Sequence, residues 1–392
     1  MSTSVHNPDQ YMGSLRQIIA QGRKRLGLLV GAGAAASINA PGSSEPLIPV
    51  VARLTEIVFS ALAGKYGTTL DAIRGEIPDA NVEEVLSRVR SLAAVIGITK
   101  VYGLDATGHK ELSEAICAEI GKVVNKPLPD GPSPYTEFVT WIGGTARDYP
   151  FEIFTTNYDL LFEQAMERAH APYFDGFTGA GEPFFDPSTV AKNDLPSRWT
   201  RIWKLHGSLG WSTNSRNDII RVGGPTATHL VFPEHLKYEQ TKKAPYSALF
   251  DRLGAFLSTP DTLLIATGFS FADFHVSARI DECLTANPSA SLFAFQFRPL
   301  DEEPHATEIA SRRANMSLYS PDKAIINGVA APWLPGDPPT RDWGPIRAGY
   351  WGADSTGGTP QFLLGNYVHL ARFFASSHSS QTIPAPPPSA IP

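Results

Sequence analysis

The chain has 392 residues, enough at about 100–200 per domain for one large domain or two ordinary ones. An apolar fraction of 42% with 18% charged residues is a globular composition rather than a disordered one, and a net charge of −6 speaks against a strong whole-protein field for nucleic acid. The two cysteines, Cys117 and Cys283, exclude a disulfide framework and a four-cysteine zinc module, and their apolar surroundings suit packing.

Met1 to Ala20 holds no apolar signal core, and no run approaches the roughly 18 apolar residues of a membrane span, so a cytoplasmic protein without membrane contact is expected. The first 12 residues are polar and are expected to fray. Gly13 to Gly22 carries one helical pattern, in Leu15, Ile18 and Ile19. Arg25 to Val30 is a short apolar run stopped by Gly31, which suits a strand buried on both faces. Gly31-Ala32-Gly33-Ala34-Ala35-Ala36 follows it and fits G-x-G-x-x-G/A. Here a Cβ would keep backbone N–H groups away from a phosphate, and a helix starting at this point adds partial positive charge. The same turn also closes strand–helix units that bind nothing. A hydride-transfer domain places an acid about 20 residues further on, at the end of a second strand. Glu56 has that spacing but sits in the helical stretch Val51 to Val58, so the ordinary dehydrogenase arrangement is not expected.

Residues 50–150 are mostly helical. Val82, Val85, Leu86, Val89 and Leu92 share one face, and Asn81 with Glu84 resembles a capping box. Further helices are expected at Glu111 to Val124 and Tyr135 to Ala146. This block interrupts the strand–helix alternation and reads as a cap inserted over a sheet. Strands resume at Phe151 to Phe154, Thr200 to Leu205, Thr262 to Ala266 and Ser291 to Phe297, with helices at Leu160 to Ala169, Tyr246 to Leu257 and Phe274 to Ala286. The pattern predicts an α/β fold, a doubly wound parallel Rossmann-like sheet with an inserted helical subdomain. Beyond Arg298 the pattern weakens. Gly336 to Thr359 reads as a long loop, Phe362 to Phe374 as one more helix, and Ser376 to Pro392 as a flexible tail. The expected division is a catalytic domain over 13–300 with its helical insertion at 50–150, a C-terminal extension over 301–375, and a tail over 376–392.

Three turns at strand ends carry the chemistry, because ligands of open parallel sheets bind beyond the carboxyl ends of strands. Thr155-Thr156-Asn157-Tyr158-Asp159 gathers polar groups where a strand gives way to a helix, although Asn157 or Asp159 also reads as a helix N-cap. Leu205-His206-Gly207-Ser208 puts an imidazole at such an end, with an unperturbed pKa of about 6.5 that suits proton transfer. A lone histidine is equally at home in a structural role. In Ala266 to Asp273, Gly268 permits close approach while Ser270 and Asp273 offer ribose partners; a plain turn followed by a capped helix fits the same residues.

Taken in order, Gly31-Ala32-Gly33, Thr155 to Asp159, His206-Gly207 and Gly268-Phe269-Ser270 resemble the sirtuin (SIR2) pattern over about residues 25 to 300. They resemble more closely the bacterial SIR2-like proteins of antiphage defence, and a chain of this length is similar to the SIR2 subunit that partners a HerA-type ATPase. The resemblance implies a sirtuin-type domain with NAD as its substrate. It implies Asn157 and His206 as catalytic residues, and Gly31, Ala32, Gly33, Ser37, Thr156, Asp159, Gly268, Ser270 and Asp273 as binding residues. In protein-deacylating sirtuins Gln and Ile stand where this chain has Thr156 and Tyr158, and a serine stands at the position of Ala35, with Ser37 two residues later. The four-cysteine zinc module of those enzymes has no counterpart here, so no zinc is expected. The implied reaction is hydrolysis of NAD+ at the nicotinamide–ribose bond through an oxocarbenium-like transition state. The resemblance also implies a homo-oligomer, a HerA-type ATPase partner, and nucleic acid met only through that complex. Competing readings are an NAD-dependent deacylase, an NAD sensor without turnover, and a nuclease within an ATPase complex.

Overall fold

The computed structural model describes residues 4–216, 218–222, 244–338, 340, 343–353 and 358–377. Its centre is a nine-stranded sheet: β1 (Arg25–Val30), β2 (Glu152–Thr155), β3 (Tyr173–Phe174), β4 (Thr200–Lys204), β5 (Thr262–Thr267), β6 (Ser291–Phe295), β7 (Met316–Tyr319), β8 (Lys323–Ile326) and β9 (Val329–Pro332). The spatial order is β9-β8-β7-β6-β5-β1-β2-β4-β3. All pairings from β3 across to β7 are parallel, and β8 and β9 add an antiparallel edge.

The apolar runs form these strands because both faces of the sheet are covered. Leu28, Val30, Ile153, Ile202 and Ile265 enter one hydrophobic core, while Leu29, Phe154, Trp203, Leu264 and Ala266 enter the other. Successive residues point to opposite faces, so a strand with two cores needs an unbroken apolar run rather than an alternating one. The chain leaves β1 for β2 on one side and returns to β5 on the other, which makes the end of β1 a topological switch point. Register levels the strand ends there: Val30 lies opposite Thr155 and Thr267, and Thr155 opposite Lys204.

Thirteen α-helices lie among the described residues: α1 (Pro8–Gln21), α2 (Ala32–Ala36), α3 (Val51–Glu76), α4 (Val82–Val95), α5 (Ala106–Val124), α6 (Pro134–Gly144), α7 (Leu161–Arg168), α8 (Pro187–Lys192), α9 (Tyr246–Ser258), α10 (Phe274–Ala286), α11 (Pro304–Arg312), α12 (Trp343–Ala348) and α13 (Tyr367–Ser376). The long helical block is α3 to α6. Val82, Val85, Leu86 and Val89 of α4 are buried in one core with Leu54 and Val58 of α3 and Ile116 and Ile120 of α5. The capping box read from Asn81 and Glu84 is present.

Two expectations fail. Residues 8–12 are not frayed: they open α1, whose Asp9 is buried and accepts hydrogen bonds from Tyr350 (2.5 Å) and the Arg347 guanidinium (2.6 and 2.8 Å). The region beyond Arg298 is not weakly structured either, since 316–332 supply three strands of the main sheet. These strands are only four residues each, too short for their pattern to stand out in the sequence. Helix α13 begins at Tyr367 rather than Phe362 and shares a core with α6 through Phe374 and Trp141. Most of the expected tail, 378–392, lies outside the described residues. Among the described residues no helix is long and apolar enough to cross a membrane. Both cysteines are buried.

Candidate active site

The loops that follow β1, β2, β4 and β5 meet at the switch point. Gly31 donates its N–H to Thr267 O (3.1 Å), and Gly33 donates to Gly268 O (3.0 Å). Gly268 has φ +61°, a left-handed conformation that side chains disfavour. A Cβ on Gly33 would stand 2.7 Å from Gly268 Cα, and one on Gly31 would collide with Gly268 O. The glycines are therefore required because two backbones touch. The amides of Gly31 and Gly33 are spent on the β5 loop, and α2 is only five residues long, so backbone contact by itself accounts for both glycines. Gly31 and Ala32 still line the cleft described below, whereas Gly33 and Ser37 do not. Ser37 donates its hydroxyl to Ala34 O (2.7 Å) and closes the last turn of α2.

Thr155, at the end of β2, donates its hydroxyl to Val30 O (3.1 Å) and accepts from Asn157 N (3.0 Å). Asn157 then reaches across, its Nδ2 donating to Gly31 O (3.2 Å). Neither Asn157 nor Asp159 is the N-cap of α7, which is Leu160 without a side-chain cap bond; Asp159 accepts from Leu161 N at 3.1 Å just ahead of the helix. Asp159 is buried, and its carbonyl accepts from the buried ammonium of Lys204, which also lies 3.1 Å from Glu163. Burial pushes the carboxyls of Asp159 and Glu163 upward in pKa, and the Lys204 charge opposes that. Asp159 is thus a strut of the loop as well as a lining residue; Thr156 lines the cleft beside it.

His206, two residues beyond the end of β4, is 4% exposed and lies with Nε2 2.8 Å from Asp273 Oδ2. The other oxygen of Asp273 caps α10, accepting from His275 N (3.0 Å) and Val276 N (3.1 Å). One carboxylate thereby starts the helix and orients the imidazole, where the sequence had offered it to a ribose. Burial by itself would lower the pKa of His206; the Asp273 carboxylate, helped by Glu83, outweighs it and raises the imidazolium above its usual range. Burial works against the Asp273 carboxylate in the same way, and His206 overrides it, holding Asp273 below the usual range. Nδ1 of His206 is buried with no hydrogen-bond partner among the described residues, and neither Nε2 nor Asp273 Oδ2 makes a hydrogen bond of good geometry despite their 2.8 Å approach, so a bound ligand would satisfy polar atoms here. Ser270 is exposed at the cleft mouth.

These loops form one wall of a cleft of about 570 Å³, a volume suited to a small-molecule ligand. Helices α3 and α4 supply the opposite wall, with Leu54, Glu83 and Arg88 among its residues. Glu83 and Tyr158 escaped the sequence reading. Tyr158 is buried and donates its hydroxyl to Glu83 Oε1 at 3.2 Å, across 75 positions of sequence. Burial raises the pKa of the Glu83 carboxyl, with His206 opposing. The only available signal was the pair Glu83-Glu84 behind Asn81: a capping box uses Glu84 and leaves Glu83 for another task.

Residues 152–318 match the model of a family described as the SIR2-like domain, less than half of the chain. The match runs from β2 to β7 and includes Asn157, His206 and Asp273 but neither the β1 loop nor the helical block. No curated protein matches the chain. Among solved structures, a SIR2 homologue in complex with NAD is 15% identical over 81% of this chain and 90% of its own, with a TM-score of 0.37. A Sir2 enzyme solved for its mechanism and regulation is 13% identical over 76% and 89%, with a TM-score of 0.35.

Proposed function

We propose that this chain is an NAD+ hydrolase that cleaves the nicotinamide–ribose bond. The observation that carries the reading is the convergence of Asn157 and the His206–Asp273 pair on one cleft at the switch point of a doubly wound sheet. The SIR2-like match over 152–318 supports NAD as the dinucleotide. In this reading Gly31, Ala32 and Thr156 lie along the dinucleotide, and Ser270 and Gly268 border its adenosine side. Asn157, held rigid between two loops, orients the nicotinamide ribose or the attacking water. His206 accepts a proton from a ribose hydroxyl or from that water, and Asp273 fixes which face of the imidazole it presents. Departure of nicotinamide neutralises its pyridinium, so the protein needs to hold the ribose, exclude bulk water and admit one nucleophile. Uncontrolled NAD loss is toxic, which fits a cytoplasmic antiphage enzyme kept quiet by oligomerisation and by a HerA-type ATPase partner.

The test is to incubate the purified chain with NAD, alone and with such an ATPase, and to identify products by mass spectrometry. Nicotinamide with ADP-ribose or its cyclic form is expected. His206→Ala should lower the rate by about 10²–10⁴-fold, the usual worth of a general base, while leaving the unfolding midpoint in place. NAD binding without nicotinamide release under every condition would replace the enzyme with a sensor.

A further inference from the structure

We propose that Glu83, carried into the cleft by the helical block, is the catalytic carboxylate that takes the proton of the attacking water. The inference rests on the NAD-cleaving reading above.

Two adjacent acids at the start of α4 have separate tasks. Asn81 Oδ1 accepts from the backbone N–H groups of Glu83 (2.9 Å) and Glu84 (3.1 Å), and Glu84 Oε2 in turn accepts from Asn81 N (2.8 Å). The cap is complete without the Glu83 side chain, which instead borders the cleft and accepts from Tyr158. An acid in a first helical turn is ordinarily a surface feature that answers the helix dipole. Here it stands inside a cleft, where a carboxylate loses hydration. Among the described residues no lysine or arginine forms an ion pair with it. Charged and titratable groups near it include Tyr158 and His206 from the sheet edge, Asp273 at the start of α10, Glu84 on its own helix, and Arg90, whose charge acts on Tyr158. Arg88 and His275 border the same cleft, but Arg88 pairs with Glu76 (3.5 Å). Burial moves the Glu83 carboxyl upward, which strengthens it as a base.

The step balances as follows. The water oxygen bonds to ribose C1′ as the bond from C1′ to the nicotinamide nitrogen breaks. The bonding pair stays with that nitrogen and discharges the pyridinium. The proton of the water passes to Glu83 and then to solvent, giving ADP-ribose and neutral nicotinamide. His206 is left to the ribose hydroxyl. A carboxylate beside the ribosyl centre also offsets the positive charge that develops there.

Glu83→Gln keeps an oxygen for the Tyr158 hydroxyl but removes the base, and Glu83→Ala opens space for a small anion. Three measurements are made on each: nicotinamide release with and without azide, affinity for a carbocyclic NAD analogue that cannot be hydrolysed, and thermal unfolding. Glu83→Gln should lose about 10²–10⁴-fold in kcat while the affinity for the analogue and the unfolding midpoint hold. Azide attacks without giving up a proton, so it should restore nicotinamide release to Glu83→Ala with ADP-ribosyl azide as product. Turnover by Glu83→Gln within about threefold of the unchanged chain overturns the inference and leaves the NAD reading standing. Loss of activity together with loss of analogue binding, without azide rescue, also overturns it, by making Glu83 a strut. An unchanged chain that releases no nicotinamide overturns the parent reading and this one together.

Discussion

The cleft has two walls built in different ways. The sheet-edge wall consists of loops fixed at the ends of level parallel strands and tied by short bonds to backbone carbonyls, from Gly33 N to Gly268 O (3.0 Å) and from the Asn157 side-chain amide to Gly31 O (3.2 Å). The insertion wall consists of helices docked over that edge, and Tyr158 to Glu83 is a direct side-chain bond between the loop after β2 and α4. The difference teaches where rigidity comes from. A strand end places a side chain by its register, whereas a helix places one only after it has capped and packed.

If the sheet-edge wall is the rigid one, breaking it from beneath should have the largest effect. Lys204 is 3% exposed and its ammonium serves both the Asp159 carbonyl and Glu163. Lys204→Met leaves Glu163 buried without its counter-charge, a change that typically costs about 3–5 kcal/mol. Denaturant unfolding at neutral pH should show a loss of that order, smaller in acid, where Glu163 takes a proton. A loss under about 1 kcal/mol would mean that this wall does not depend on its buried ion pair.

A smaller effect separates orientation from support within the same wall. Asp273→Asn keeps a side-chain oxygen for the α10 cap but removes the charge beside His206. Burial then dominates the imidazole, and its pKa falls. If His206 works as a base, the rise of activity with pH should move to lower pH, and the plateau should drop by less than the 10²–10⁴ of losing the base itself. Stability reports the same pair with a definite sign. A raised histidine contributes stability that is full below about pH 6.5 and is lost as pH rises through its folded pKa. A depressed aspartate contributes above about pH 3.9 and loses it as pH falls through its own folded pKa. Asp273→Asn should therefore flatten the stability profile in both directions, and an unchanged profile would show that the 2.8 Å contact is not an ion pair in solution.

The sequence made the sheet-edge wall legible because its signals are local. A strand covered on both faces must be an apolar run, so Arg25 to Val30 was readable to the residue, and the polar groups just past such runs pointed to Asn157 and His206. Local signals also carry more than one meaning. Gly33 and Ser37 belong to a familiar motif, yet one serves backbone contact with Gly268 and the other closes a short helix. A glycine pattern does not distinguish the approach of a second loop from the approach of a phosphate. What could not be read were contacts made only by tertiary packing: Tyr158 with Glu83 and, 338 positions apart, Asp9 with Arg347. Neither leaves a period or a spacing in the chain.

The smallest expected effect bears most directly on the insertion wall. Asn81 accepts from the amides of Glu83 and Glu84, so Asn81→Ala should cost about 1 kcal/mol of stability through the lost cap. Val82 is separately held, its N–H donating to Thr55 Oγ1 at 2.9 Å, so α4 should stay docked while its first turn loosens. If that wall only covers the cleft, turnover per folded molecule should be nearly unchanged. If it delivers Glu83, turnover should fall several-fold, because the carboxyl is held by the turn that has loosened. The double variant Asn81→Ala/Glu83→Gln decides between these: once the carboxylate is gone, loosening the turn that carried it should cost no further activity, and any additional loss would have to come from another residue of the insertion.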